Sequence, residues 1–376
     1  MDKGIVVFTG YNTRAVVAFC RFLKSRGLQA HLIAKCPEDP IFLTDFRDWV
    51  LFIRGSLELE INQCIEYFKA IKSTFAYQTI LIAPTSEFLN RFFLANQSFI
   101  QKESVSIPLV NLQLYKDVSD KHPFRVICRE NGFGAPATLS QGSKTFPYVA
   151  KKYRYDASYG IQSKPYLIFN ESDYQTFSQR ESLEAYYFEE YVAGESYYLL
   201  YHISRSGVVS SYAQQNFIQQ ANGRSIIAAR PSDIHTHSIG EQYGQLLVSL
   251  GFHGLAMIEV RKYRETYLMI EANPRFWGPL QLVVDNCPAL LEEFLLDQQI
   301  QLPNGHTQDN PARPLRNYFW YGGYISDRML DRTPSFHQYA QTSLNDELHK
   351  WLASDVFLQE DTIKLFKVEI EGNLST

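Results

Sequence analysis

The chain has 376 residues, of which 45% are hydrophobic and 20% charged, and its 36 lysines and arginines against 40 acids leave a net charge of −4. That balance excludes a disordered chain, and the scatter of the charges leaves no electrostatic footprint for nucleic acid or an anionic membrane. No apolar run approaches the ~20 residues that span a bilayer, and MDKGIVVFTGYNTR lacks the apolar core and cleavage site of a signal peptide, so a cytoplasmic protein is expected.

In chain order, residues 5–8 form a short apolar strand closed by Thr9-Gly10. A helical spacing follows through Val16, Val17, Phe19, Cys20 and Leu23, with Gly27 as its stop. Strands are expected at 31–34, 50–53 and 79–83, with a helix at 59–71 between the last two. Strands separated by helices imply βαβ units and a parallel sheet. The first turn, Thr9-Gly10-Tyr11-Asn12-Thr13-Arg14, holds one glycine and does not match a dinucleotide fingerprint. Cys20, Cys36, Cys64, Cys128 and Cys287 have no paired spacing and read as reduced thiols.

From about Val118 the texture changes. A helix opens at Ser119-Asp120-Lys121 and closes at Gly132, and strands follow at 148–152 and 187–192, with further strand-like runs over 197–218. A helix near 239–250 precedes two strands, 255–260 and 266–271, joined by a charged turn. Short strands dense in tyrosine imply an antiparallel or mixed sheet, an α+β region behind the α/β one. Residues 302–314, rich in Pro, Gly and Asn, read as a long loop.

Three segments carry chemistry. Glu259 and Glu271 stand on strands that can lie side by side, and with the Asn273 amide oxygen they make an all-oxygen set suited to Mg²⁺. A hairpin with two solvated glutamates has the same pattern. Arg275 can neutralise charge on a transferring phosphoryl group. Lys151 ends an apolar strand just before the small-residue turn Asp156-Ala-Ser158-Tyr-Gly160, a phosphate-binding combination that an ordinary strand end shares. The edge Glu189-Glu190-Tyr191-Val192-Ala193-Gly194-Glu195 can meet adenine through its main chain and ribose through a carboxylate. Downstream, Gly223 and Ser225 lie on a loop ahead of the strands of Glu259 and Glu271, and Arg230 can pair with a substrate carboxylate. A solvated loop arginine reads the same way.

The order of these pieces resembles the ATP-grasp superfamily, over about 170 residues from Lys121 past Gly278. The run Glu271-Ala-Asn273-Pro274-Arg275-Phe-Trp-Gly278 is its most specific part and looks closest to the carboxylate–amine ligase and carbamoyl-phosphate-synthase-like branch. The resemblance implies a parallel α/β pre-ATP-grasp domain over 1–114 and an ATP-grasp domain over 115–300, with a small lid subdomain at about 145–193. Residues 301–376 are an extension without an assigned role. It implies MgATP, with Mn²⁺ as an alternative, and small carboxylate and amine substrates; a homo-oligomer stays open.

By the same resemblance Lys121 and Lys151 contact phosphates, Ser158 and Gly160 belong to the lid, and Glu189 to Val192 form the adenine hinge. Glu259, Glu271 and Asn273 hold the metal, and Arg275 faces the γ-phosphate and an acyl phosphate. The loop of Gly223 and Ser225 faces a substrate. Glu195 is the nearest acid to the usual ribose position, which it misses by a residue or two. The reaction implied joins a carboxylate to an amine through an acyl phosphate. Transfer to a non-amine acceptor, a non-catalytic ATP-binding module, and an oxidoreductase built on the N-terminal domain are the alternatives.

Overall fold

The computed structural model describes residues 2–56, 58–155, 165–303 and 314–372. The first sheet holds β1 (Lys3–Phe8), β2 (His31–Ala34), β3 (Val50–Ile53), β4 (Thr79–Ile82) and β5 (Val105–Ser106), all parallel in the order β3-β2-β1-β4-β5. Ile5 to Phe8 are buried on both faces, as a central parallel strand requires. Around it pack α1 (Thr13–Ser25) and α2 (Ile61–Phe75), both expected from their spacing, and then α3 (Glu87–Ala95), α4 (Gln97–Lys102) and α5 (Leu112–Ser119), which the sequence pattern does not resolve. One residue, Asp120, separates α5 from helix α6 (Lys121–Glu130).

The second sheet is small and antiparallel: β6 (Thr138–Leu139), β7 (Tyr148–Lys152), β8 (Tyr166–Ile168) and β9 (Tyr186–Glu190), in the order β6-β9-β7-β8, with α7 (Glu171–Arg180) against it. Its core is aromatic, built from Tyr148, Phe177, Tyr186 and Phe188. The third sheet is the largest, with β10 (Ser196–Ile203), β11 (Val209–Gln219), β12 (Ile226–Pro231), β13 (Gly254–Tyr263), β14 (Thr266–Asn273), β15 (Tyr318–Phe319) and β16 (Ser335–Phe336). It runs β14-β13-β10-β11-β12-β15, β16 pairs with β11, and every pairing is antiparallel. The tyrosine-rich strands thus pair as expected, behind a parallel domain.

The first and third sheets share one core. Phe19 of α1 packs on Phe276, their rings 4.7 Å apart, and the Phe276 N–H donates to the Pro84 carbonyl at 2.9 Å. Helix α8 (Ser238–Ser249) covers β10 and β11, while α9 (Leu280–Asn286) and α10 (Ala289–Asp297) fill the space beside α1. The C-terminal helices α11 (Tyr321–Met329), α12 (Gln341–Leu352) and α13 (Ile363–Ile370) dock against both parts: β15 extends the large sheet, and Arg21 of α1 holds Asp361 through two bonds of 2.6 and 2.8 Å.

Where the second sheet joins the third, Gly194 runs so close to β13 that an added Cβ would collide with the Lys262 carbonyl oxygen. That contact holds the strand connection down, since the Lys262 N–H donates to the Glu195 carbonyl at 2.9 Å. Gly194→Ala is expected to lower unfolding free energy by about 1–3 kcal/mol, the usual cost of overpacking. Urea denaturation checks this, and an unchanged midpoint would mean the two segments are not held in contact.

Candidate functional site

The register of β13 and β14 sets Glu259 directly opposite Glu271, side chains on one face. The next pair is Val260 with Met269, so Ile270 is an extra, bulged residue. The bulge turns the Ile270 carbonyl to Lys151, whose ammonium donates to it at 3.0 Å. Asn273, two residues beyond Glu271, donates to the Glu271 carboxylate at 2.8 Å, and Arg275 donates to the Asn273 oxygen at 3.2 Å.

Cations surround the two carboxylates. Lys121, the first residue of α6, ion-pairs with Glu271. Lys151 on β7 is 4% exposed and ion-pairs with Glu189 on β9, itself 2% exposed. Arg125 stands 3.6 Å from the same Glu189 carboxylate. Arg261, two residues along β13 from Glu259, reaches that carboxylate at 3.4 Å and the Val192 carbonyl at 2.9 Å. Burial pushes the Glu259 carboxyl up from its ordinary range, with Arg261 opposing. Burial also acts to raise Glu271, but the Lys121 ammonium and the bonds from Lys121 and Asn273 outweigh it and hold this carboxyl down at about 2.

Among the described residues no three His, Cys, Asp or Glu side chains converge as a metal cluster. The oxygen set is Glu259, Glu271 and the Asn273 amide, two facing carboxylates and one neutral oxygen. That set fits a hard divalent ion, which takes few protein ligands when phosphate and water complete its shell.

Two cavities meet here. The smaller, about 50 Å³, lies between the second and third sheets and is lined by Lys121, Lys151, Glu189, Glu190, Tyr191 and Val192 together with Glu259 and Glu271. The larger, about 400 Å³, opens toward the first domain, where Asn12, Arg14, Glu87, Arg275 and Trp277 line it. Lys121, Pro165, Gly223 and Glu271 line both.

Gly223 belongs to the tight loop between β11 and β12, in which Asn222 (φ 61°) and Gly223 (φ 65°) adopt left-handed backbone. Helix α11 locks this loop. Asp327, fully buried, accepts the Ala221 N–H at 2.6 Å and ion-pairs with Arg224, and Gln220 donates to the Gly323 carbonyl at 3.1 Å.

In comparisons with known proteins, no family model and no curated sequence matches the chain. Solved structures do. N5-carboxyaminoimidazole ribonucleotide synthetase from Thermotoga maritima aligns with a TM-score of 0.56 at 15% identity, over 82% of this chain and 78% of that one. L-amino acid ligase from Bacillus licheniformis aligns with a TM-score of 0.58 at 12% identity, over 84% and 78%. The fold is the ATP-grasp fold. A biotin carboxylase from Campylobacter jejuni, solved as a complex with β-γ-ATP, shares it at a TM-score of 0.55 and 14% identity, over 82% and 72%.

In this chain Lys121, Lys151, Glu189, Glu190, Tyr191, Val192, Glu259, Glu271, Asn273, Arg275, Gly223 and Ser225 all line one cavity or the other. Glu195 does not: its carboxylate accepts from the Tyr197 hydroxyl at 3.1 Å and from Gln215 at 3.3 Å. Arg230 is likewise not brought to the cleft. Its guanidinium lies over Phe217 and Trp351, at 4.9 and 5.0 Å from the ring centres, and 3.5 Å from Glu347. Alternation along β12 sends it to the face that the C-terminal helices cover, while the loop arginine Arg224 lines the cavity instead. Ser158 and Gly160 lie outside the described residues.

The sequence reading also missed Arg14, Arg125, Arg261 and Asp327, each of which has at least one partner far away along the chain. Arg14 stands in the turn where a cofactor fingerprint is absent, and that lone-glycine turn was its only sequence signal.

Behind Arg14, Trp320 donates its indole N–H to Glu369 at 3.0 Å. Burial raises the Glu369 carboxyl to about 7, with the Trp320 bond and Arg14 opposing and Asp355 adding to the rise. A folded-state pKa above the unfolded value stabilises the protein below about pH 4.5, and that contribution is lost as pH rises through 7. The melting temperature of the wild type relative to Glu369→Gln should therefore fall by roughly 2–4 °C between pH 4.5 and 8. A pH-independent difference would place Glu369 in a wetter setting.

Proposed function

We propose that the chain is an ATP-dependent carboxylate–amine ligase working through an acyl phosphate. The observation that carries this reading is the pair of joined cavities with facing carboxylates at their junction. The smaller has a strand connection for a nucleotide and lysines for its phosphates. The larger has two arginines, Arg14 and Arg275, without an ion-pair partner among the described residues, and room for small molecules.

In this reading Glu190 to Val192 meet adenine along the backbone, and Lys151 and Lys121 meet the phosphates. Glu259, Glu271 and Asn273 hold Mg²⁺ or Mn²⁺, which supplies charge neutralisation at the phosphate oxygens. The Lys121 ammonium on Glu271 occupies the position of that charge. At about 50 Å³ the smaller cavity is below the roughly 300–1,000 Å³ of formed ligand pockets, so a nucleotide enters as the small sheet moves off the large one.

A carboxylate oxygen of one substrate attacks the γ-phosphorus and ADP departs. Arg275 and Lys121 spread the charge on the transferring group. The amine nitrogen of the second substrate then attacks the acyl carbon, inorganic phosphate leaves, and the nitrogen loses one proton. The walls of the larger cavity keep water from the acyl phosphate. No nucleophile from the protein is needed. The ligase reading rests on this arrangement and on the motif order; the likeness to the ligase of Bacillus licheniformis supplies only the fold.

The decisive experiment is ADP release with MgATP against small carboxylates and amines, offered singly and in pairs, with mass spectrometry of the products. ADP only with a pair, alongside a condensed product, is expected. Release with a carboxylate alone and no amide would favour a non-amine acceptor.

Two variants test the assignments. Glu271→Gln should lower turnover at least a hundredfold with a melting temperature within a few degrees of wild type, and near-wild-type rates would remove it from the metal set. Lys151→Ala should weaken nucleotide binding at least tenfold and Lys152→Ala under threefold, because strand alternation sends the two side chains to opposite faces. Lys152 lies over the Tyr186 ring at 5.8 Å, and it lines neither cavity. Equal losses by calorimetric titration would contradict the lysine assignment.

A further inference from the structure

The larger cavity holds more fixed positive charge than the proposed chemistry uses. Arg224 is matched by Asp327 and Lys121 by Glu271, whereas Arg14 and Arg275 have no ion-pair partner among the described residues. Arg275 sits beside Asn273 at the phosphoryl end of the cavity and is used there. Arg14 is left over.

Arg14 is also built in. Its guanidinium carbon stacks 3.9 Å over Trp320. Its Nη1 donates to the Ile226 carbonyl and to the Tyr318 hydroxyl, both at 3.1 Å. Gly278 gives it room, since a Cβ there would stand 2.9 Å from Nη2. One nitrogen is thus fixed by protein, while Nε and Nη2 have no partner among the described residues. That free edge carries two parallel N–H donors, the arrangement that matches two coplanar oxygens. Glu369 lies behind the indole, accepts its N–H, and makes no ion pair with Arg14 among the described residues.

A carboxylate being activated loses its charge on phosphorylation, and it must lie at the Arg275 end. A free arginine edge fixed by the protein suits a group that stays anionic throughout. We propose that Arg14 anchors a substrate carboxylate other than the one activated. One of the two substrates therefore carries an extra free carboxylate, either as an amino acid acceptor or as a dicarboxylate donor. This names the substrate class of the proposed ligase site. It also gives the C-terminal segment a role, since Tyr318 and Trp320 hold the anchor in place.

The test is calorimetric binding of L-amino acids, dicarboxylates and their neutral amides to the full chain with MgADP present. It compares the wild type with Arg14→Met, Arg14→Lys and Tyr318→Phe. The wild type should bind acids at least tenfold more tightly than the matching amides. Arg14→Met should erase that preference while MgADP affinity stays within twofold. Arg14→Lys and Tyr318→Phe should each keep part of it, and they carry the test if the methionine variant does not fold.

Preference for amino acids would assign the anchor to the acceptor, and preference for dicarboxylates to the donor. Equal binding of acids and amides by the wild type, no binding of either, or a preference that survives in Arg14→Met would overturn the proposal, as would organic phosphates displacing every acid from wild type alone. Turnover separates the two readings. Acid binding lost in Arg14→Met without any condensed product would sink the ligase and keep the anchor, while condensation that uses acids and amides alike would sink the anchor alone.

Discussion

Glu259 and Glu271 point the same way from adjacent strands, and like charges so placed repel strongly where water is scarce. Much of the surrounding architecture answers that constraint. Helix α6 starts at the residue that brings Lys121 to Glu271, and the bulge at Ile270 fits Lys151 against the hairpin. Arg261 ties Glu259 to the strand connection at Val192. On the far side Ser196 donates to Glu259 at 3.2 Å and accepts from Asn216 at 3.0 Å, which in turn accepts from Gln214 at 2.7 Å. A buried polar row of this kind is stable only when its members are hydrogen-bonded, so it fixes the pitch of the sheet beneath the site.

The same compensation joins the three sheets. Glu189 of the small sheet is balanced by Lys151 beside it and by Arg125 on α6. Asp120, the residue before Lys121, accepts from Arg91 of α3 at 2.7 Å and from the Tyr155 N–H at 3.2 Å. Arg91 also holds Glu87, a residue of the larger cavity wall, at 2.6 Å. A shift of α6 would therefore be felt at the small sheet, at the first domain and at the facing carboxylates together.

The legible part of this chain is local. Period-two spacing placed Glu259, Glu271 and Asn273 on one strand face and Lys151 opposite Lys152, and the structure keeps those relations. Apolar spacing located β1 to β4, α1, α2 and α6 to within a few residues. Helix α3 was not legible, because Glu87, Asn90 and Arg91 fall on buried positions where apolar spacing would call for hydrophobic residues; they are buried as a polar network with Tyr115 and Asp120. Arg230 was misjudged against Arg224 because the register of β12 depends on shifts in β11 that no pattern announces. Arg14, Asp327 and the contacts of Arg125 with Glu189 and of Arg261 with Val192 depend on partners across the fold, and spacing carries no information about those.

The reach of these contacts bears on how the cleft comes into being during synthesis. Arg14 is joined to Tyr318 across 304 positions and Arg21 to Asp361 across 340. The first domain can collapse while the chain is still growing, and the hairpin can form once residue 273 has emerged. The wall around Arg14 closes only after the aromatic pair and α13 have arrived. A polypeptide interrupted between the hairpin and Tyr318 would keep its two facing carboxylates and lack the enclosure around the chamber beside them. Such a fragment would leave the chamber open to solvent on the side that Tyr318, Trp320 and Glu369 close around Arg14.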